Sequence, residues 1–153
     1  MNKKTYMNIL LADDDKDDCL FFKDAIDELP VAPSLTIVHD GDQLMQYLEM
    51  VSTKLPHALF LDLNMPRKNG FECLAEIKKQ EALKNLPVII YSTSYDSAMA
   101  TQLYNMGANY YICKPNDFEE LKRVVHDAIK LVKQSNKQPT KENFVISKLK
   151  PAF

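Results

Sequence analysis

Five apolar stretches, each followed by a run with helical spacing, predict a doubly wound α/β domain, a parallel sheet covered on both faces. Two further observations support this. The stretches are near-continuous rather than alternating, as strands buried on both sides must be, and the connections between runs are short. Each stretch also stops at a charged, hydroxyl or turn-forming residue, so polar groups gather at one end of the sheet.

In chain order, Met7 to Ala12 (MNILLA) is the first strand candidate, and Asp13-Asp14-Asp15-Lys16-Asp17-Asp18 follows it. Phe22, Ala25, Ile26 and Leu29 then recur at i, i+3, i+4, i+7, which defines one helix face, and Pro30 and Pro33 close it. The second strand is Leu35 to His39. Its helix, after Gly41, puts Leu44, Tyr47, Leu48 and Val51 on one side. The third strand, Ala58 to Leu61, stops at Asp62, and Pro66 cannot continue a ladder, so the chain turns away there. After Asn69-Gly70 the third helix turns Phe71, Leu74, Ala75 and Ile77 inward. Pro87 opens the fourth strand, Val88 to Tyr91, which ends at Ser92-Thr93-Ser94; Met99, Leu103 and Met106 mark a fourth helix stopped by Gly107. The fifth strand, Asn109 to Cys113, meets Lys114-Pro115. The last helix starts near Asn116-Asp117 and runs to Gln134, with Phe118, Leu121, Val125, Ala128 and Val132 facing the sheet.

The 153 residues, 46% hydrophobic and 26% charged, leave room for one domain with an ordinary core, here 1–134, and a tail, 135–153. A net charge of -2 and a pI near 5.9 argue against a surface built for nucleic acid or anionic lipid. No apolar run approaches the roughly 20 residues of a membrane span, and Met1-Asn2-Lys3-Lys4 lacks a signal-peptide core behind it. A cytoplasmic protein is expected. Cys19, Cys73 and Cys113 form no C-x-x-C pair and read as reduced thiols. Gly41, Gly70 and Gly107 belong to no phosphate-cradling pattern; each falls at a helix boundary, where freedom to take positive φ is useful.

In a parallel sheet the strand ends open on one rim, and ligands bind in the crevice beyond them. Strand one delivers Asp13 and Asp14, strand three Asp62, strand four Ser92 and strand five Lys114. Taken alone, Asp62 also reads as a turn former or helix cap. Together, the carboxylates repel one another unless a cation neutralises them, and an all-oxygen set suits Mg²⁺. A metal beside a carboxylate, an ammonium and a hydroxyl is a set of parts for phosphoryl transfer. Asp15, Asp17 and Asp18 read as helix N-terminal charges, with no metal role.

The segments ILLADDD, LFLDLNMPRKNG, PVIIYSTS and NYYICKP, in this order over about 7–134, resemble the receiver domains of two-component response regulators. That resemblance implies a flavodoxin-like (βα)5 fold with strand order 2-1-3-4-5. It implies Asp62 as phosphoacceptor from a partner histidine kinase or histidine phosphotransfer protein. It further implies Mg²⁺ on Asp14, on Asp13 through water, on Asp62 and on the Asn64 backbone carbonyl, with Lys114 ion-pairing the phosphoryl oxygens and Ser92 donating to them. Tyr111 matches the aromatic that swings inward, and strand alternation puts its neighbour Tyr110 on the opposite face. A cis peptide before Pro115 is implied as well. The resemblance describes a phosphoryl acceptor rather than an enzyme, signalling to a protein target through the face of helix four, strand five and helix five.

The ILLADDDKDD and STS spellings resemble single-domain regulators paired with phytochrome-like or hybrid histidine kinases. A relay passing the phosphoryl group to a downstream histidine protein is an alternative. An aspartyl-phosphate hydrolase is less favoured, because the second acid such enzymes carry two residues on is here Asn64. A DNA-binding regulator would need a recognition domain that does not follow Gln134. In the tail, Phe144-Val145-Ile146 is β-prone and costly to expose, so it is expected either to stay loose with the terminus or to dock on the domain or on a second protomer of a homodimer.

Overall fold

The computed structural model describes residues 7–30 and 33–146; 1–6 and 147–153, including the last part of the tail, lie outside the described residues. Five strands, β1 (Asn8–Ala12), β2 (Ser34–Val38), β3 (Ala58–Leu61), β4 (Val88–Ser92) and β5 (Tyr110–Cys113), form a parallel sheet in the order β2-β1-β3-β4-β5. The intervening helices are α1 (Lys16–Asp27), α2 (Gly41–Met50), α3 (Gly70–Lys79), α4 (Ser97–Asn105) and α5 (Phe118–Gln134). Each helix begins on an Asp or Asn whose side chain accepts a backbone N–H of the first turn: Asp15, Asp40, Asn69, Asp96 and Asp117. Such caps satisfy donors that a helix start otherwise leaves orphaned, and they fix where each βα loop must end.

Alternation along the strands sends side chains to two cores. One lies under α2, α3 and α4 and holds Leu10, Leu59, Leu61, Ile90 and Tyr111. The other lies under α1 and α5 and holds Ile9, Leu11, Phe60, Ile89, Tyr91 and Tyr110. Tyr110 and Tyr111 therefore face opposite ways, as alternation requires. Phe22, Phe60 and Tyr91 meet edge to face at centroid distances of 5.0 to 6.4 Å, locking α1 onto the sheet. Among the described residues no helix is long and apolar enough to cross a membrane.

Two expectations are corrected. No cis peptide bond occurs among the described residues, so Lys114–Pro115 is trans, the form favoured even before proline by about 0.5–1 kcal/mol. Of the three glycines only Gly107 has positive φ, at 101°. Gly41 and Gly70 are needed for close approach instead. A Cβ on Gly41 would lie 2.1 Å from the Lys68 carbonyl oxygen, and one on Gly70 would lie 2.4 Å from that of Asp62. The positive φ in this loop belongs to Arg67, at 67°.

After α5 the chain returns along the β5 edge. Tyr111 N–H donates to the Phe144 carbonyl at 3.0 Å, and Ile146 N–H donates to the Tyr111 carbonyl at 2.9 Å, a short parallel pairing that covers the strand edge. Phe144 is buried against Tyr104 and Tyr111, with centroids 5.3 and 6.3 Å away. Tyr104 OH donates to the Pro139 carbonyl at 2.7 Å. Phe144→Ala should cost about 3 kcal/mol of stability, as core Phe truncations do; the urea midpoint measures it, and an unchanged midpoint would show that this side chain adds nothing.

Candidate functional site

The ends of four neighbouring strands, β1, β3, β4 and β5, carry the site, and backbone hydrogen bonds set them level. Asp13 N–H donates to the Val38 carbonyl at 3.0 Å, Asp62 N–H to the Ala12 carbonyl at 2.9 Å, and Lys114 N–H to the Ser92 carbonyl at 2.8 Å. The ladder thus delivers residues 49 apart in sequence, Asp13 and Asp62, to one rim. Asp13, Asp14 and Asp62 each offer a carboxylate oxygen within 4.8 Å of the other two. Asp13 and Asp62 are buried and Asp14 is exposed, so the cluster opens to solvent on one side.

Lys114 reaches this cluster from β5. Its ammonium lies 2.7 Å from Asp13 Oδ2, 2.8 Å from Asp18 Oδ2 and 3.9 Å from Asp62 Oδ1, with a side chain only 7% exposed. The Tyr91 ring passes beneath it at 5.2 Å, a cation–π contact from the apolar side. Sequence reasoning did not foresee Asp18 here. It lies in the first turn of α1, where a carboxylate already has a local role at the helix N-terminus, so no sequence signal pointed to Lys114.

Burial dominates the electrostatics. Desolvation pushes the Asp62 carboxyl up to about 7, against the lowering pull of Lys114, while the neighbouring Asp13 charge adds to the rise. Asp13 is also raised, again chiefly by desolvation, with Lys114 and the Asp15 N–H opposing. Lys114 is raised despite its burial, because Asp13 and Asp18 stabilise its charge. Asp13 Oδ1 accepts the Asp15 N–H at 3.0 Å. Its Oδ2 contacts the ammonium as an ion pair but has no well-aligned hydrogen bond, and it is the buried side-chain polar atom without a hydrogen-bond partner among the described residues. Three carboxylate oxygens within 4.8 Å of one another, one of them on an exposed side chain, are a hard donor set that fits a divalent cation.

The remaining predicted residues sit nearby in different ways. Ser92 is buried at the end of β4, and its Oγ accepts the Ser94 N–H at 3.3 Å. Tyr111 is fully buried; its phenol donates to the Ser94 carbonyl, and the Tyr95 ring meets it edge on at 5.5 Å. The Ser92 loop and Tyr111 are therefore one connected unit. Asn64 is exposed in the loop after β3, and its backbone N–H helps hold the Asp62 charge.

The family described as Response regulator receiver domain matches residues 9–126. The chain is 32% identical over 121 residues to the response regulator Rcp1 of Synechocystis sp., covering 76% of this chain and 82% of that one. It is 31% identical to the probable methanogenesis regulatory protein FilR2 of Methanothrix harundinacea, covering 78% and 79%. Among solved structures, the phosphorylated cyanobacterial phytochrome response regulator RcpA superposes with a TM-score of 0.75 at 31% identity, covering 83% of this chain and 94% of that one. The Mn²⁺-bound form of Rcp1 gives 0.73 at 28% identity, covering 88% and 99%.

Folding raises the Asp62 carboxyl from its ordinary value of 3.8 to about 7, so it keeps a proton that the unfolded chain releases. Its contribution is therefore most favourable below 3.8 and is lost as pH rises towards about 7. In metal-free protein, Asp62→Asn should match the wild type below about pH 4 and exceed it by up to about 4 kcal/mol above pH 7. Urea denaturation in a chelator across this range measures the gap, and a gap that does not vary with pH would refute the assignment.

Proposed function

Because the chain belongs to the response regulator receiver domain family, we propose that Asp62 is its phosphoacceptor, with Lys114 and Ser92 as the groups that receive the transferred phosphoryl. The protein is a phosphorylation-activated regulator of two-component signalling, and the proposal concerns which residues do the work. The observation that carries it is the meeting of Asp13, Asp62 and Lys114 from three separate strand ends, with the ammonium 3.9 Å from the Asp62 carboxylate.

A phosphohistidine on a partner kinase or phosphotransfer protein is the donor we infer. An Asp62 oxygen attacks phosphorus, the P–N bond breaks, and the imidazole departs and takes up a proton. Asp62 does this best ionised, and Lys114 favours that form. Asp13, Asp14, Asp62 and the Asn64 carbonyl would hold the divalent cation, taken as Mg²⁺, which when bound neutralises phosphoryl oxygens. Lys114 supplies a fixed positive charge to the same oxygens, and Ser92 would turn its hydroxyl towards them.

Output follows from the same connections. The backbone bond from Lys114 to Ser92 and the phenol bond from Tyr111 to Ser94 tie the rim to the far side of β5. Drawing Ser92 inward removes the arrangement that holds Tyr111, so the α4, β5 and α5 face changes shape, together with the tail lying on it. A target protein reads that face, and a second protomer is one candidate. A cytoplasmic setting agrees with Cys19, Cys73 and Cys113 being free.

Acetyl phosphate and Mg²⁺ should add one phosphate to the wild-type chain by intact mass, and Asp62→Asn should add none. Equal incorporation by the variant would place the acceptor elsewhere. Lys114→Ala should lower the phosphorylated fraction at least tenfold, the worth of a charge-assisted hydrogen bond of about 1.5 kcal/mol or more.

A further inference from the structure

We propose that Asp18 is a positioning residue that competes with the Asp62 phosphoryl group for the Lys114 ammonium, and so sets how much phosphodonor is needed to phosphorylate the chain. The inference rests on the reading of Asp62 as acceptor. It begins from the three oxygen distances at Lys114. Asp18 Oδ2 at 2.8 Å and Asp13 Oδ2 at 2.7 Å are at ion-pair contact, whereas Asp62 Oδ1 at 3.9 Å is beyond hydrogen-bond length. The bond to Asp18 is a formed hydrogen bond. The resting ammonium is thus held between β1 and the first turn of α1, and the acid it would serve is its loosest partner.

Asp18 is suited to hold and release. It sits in the first turn of α1, where a negative charge is favourable without any lysine, and its backbone N–H is tied to the Asp15 cap at 3.0 Å. The helix start fixes the backbone that carries its carboxylate. The Asp18 side chain is 34% exposed, so water can replace Lys114 there, while Asp13 is 0% exposed and has no such replacement. When a phosphoryl group with its additional negative charge stands on Asp62, the contact to Asp18 is the less costly one to give up. Asp18 also places a fourth negative charge beside the pocket, which opposes arrival of an anionic donor. Asn keeps the shape and removes both effects.

The test uses the full chain with acetyl phosphate and Mg²⁺, following the phosphorylated fraction by intact mass against donor concentration. Asp18→Asn should reach half-phosphorylation at about fivefold less donor, the worth of one partly exposed ion pair. Asp18→Glu, which restores the carboxylate, should return towards the wild type. Asp17→Asn, which removes a neighbouring charge from the same turn without touching Lys114, should leave the curve in place. A role confined to helix stability would lower the melting temperature of Asp18→Asn and leave its donor dependence unchanged, and that result overturns the inference. A need for more donor overturns it equally. Phosphate uptake lost in Asp62→Asn, with Asp18→Asn indistinguishable from wild type, defeats this inference alone; uptake retained in Asp62→Asn defeats the acceptor assignment as well.

Discussion

The ammonium of Lys114 is what allows several carboxylates to share one end of the sheet. Asp13 and Asp62 are buried, and each would be costly to ionise there without a neighbouring positive charge. Lys114 comes from the outermost strand of the sheet and crosses above Tyr91 to reach them, so its position depends on β3, β4 and β5 lying in register. Disturbing any of these strands would separate charges that are stable only together. Site and scaffold are therefore one energetic unit.

The tail extends that unit across the far side of β5. Its backbone pairs with Tyr111, and its Phe144 ring fills the space between Tyr104 and Tyr111. A movement of Tyr111 thus cannot be confined to its own side chain. Close-packed interiors pass on such displacements as discrete rearrangements rather than continuous strain. Any rearrangement at Tyr111 would accordingly extend to residues beyond α5.

Much of this was legible in the sequence because the fold depends on features with short-range signatures. Unalternating apolar runs marked the strands to within about one residue, and the strand-ending positions of Asp13, Asp62, Ser92 and Lys114 followed from topology. Asp18 was not legible in the same way. A first-turn acid has a sufficient local explanation as a helix-dipole partner, and nothing local reports that an amine 96 residues away will reach it. The glycines were misread for a related reason: positive φ is a local property, whereas the need for a missing Cβ at Gly41 and Gly70 arises from segments brought close only by the tertiary fold.

Those two glycines limit how portable the acidic rim can be. The loop bearing Asp62 and Lys68 is clasped between the starts of two helices at distances no other residue allows. Grafting the acidic triad onto another parallel sheet would therefore fail to reproduce its geometry unless both helix starts, with their bare α-carbons, were transplanted too.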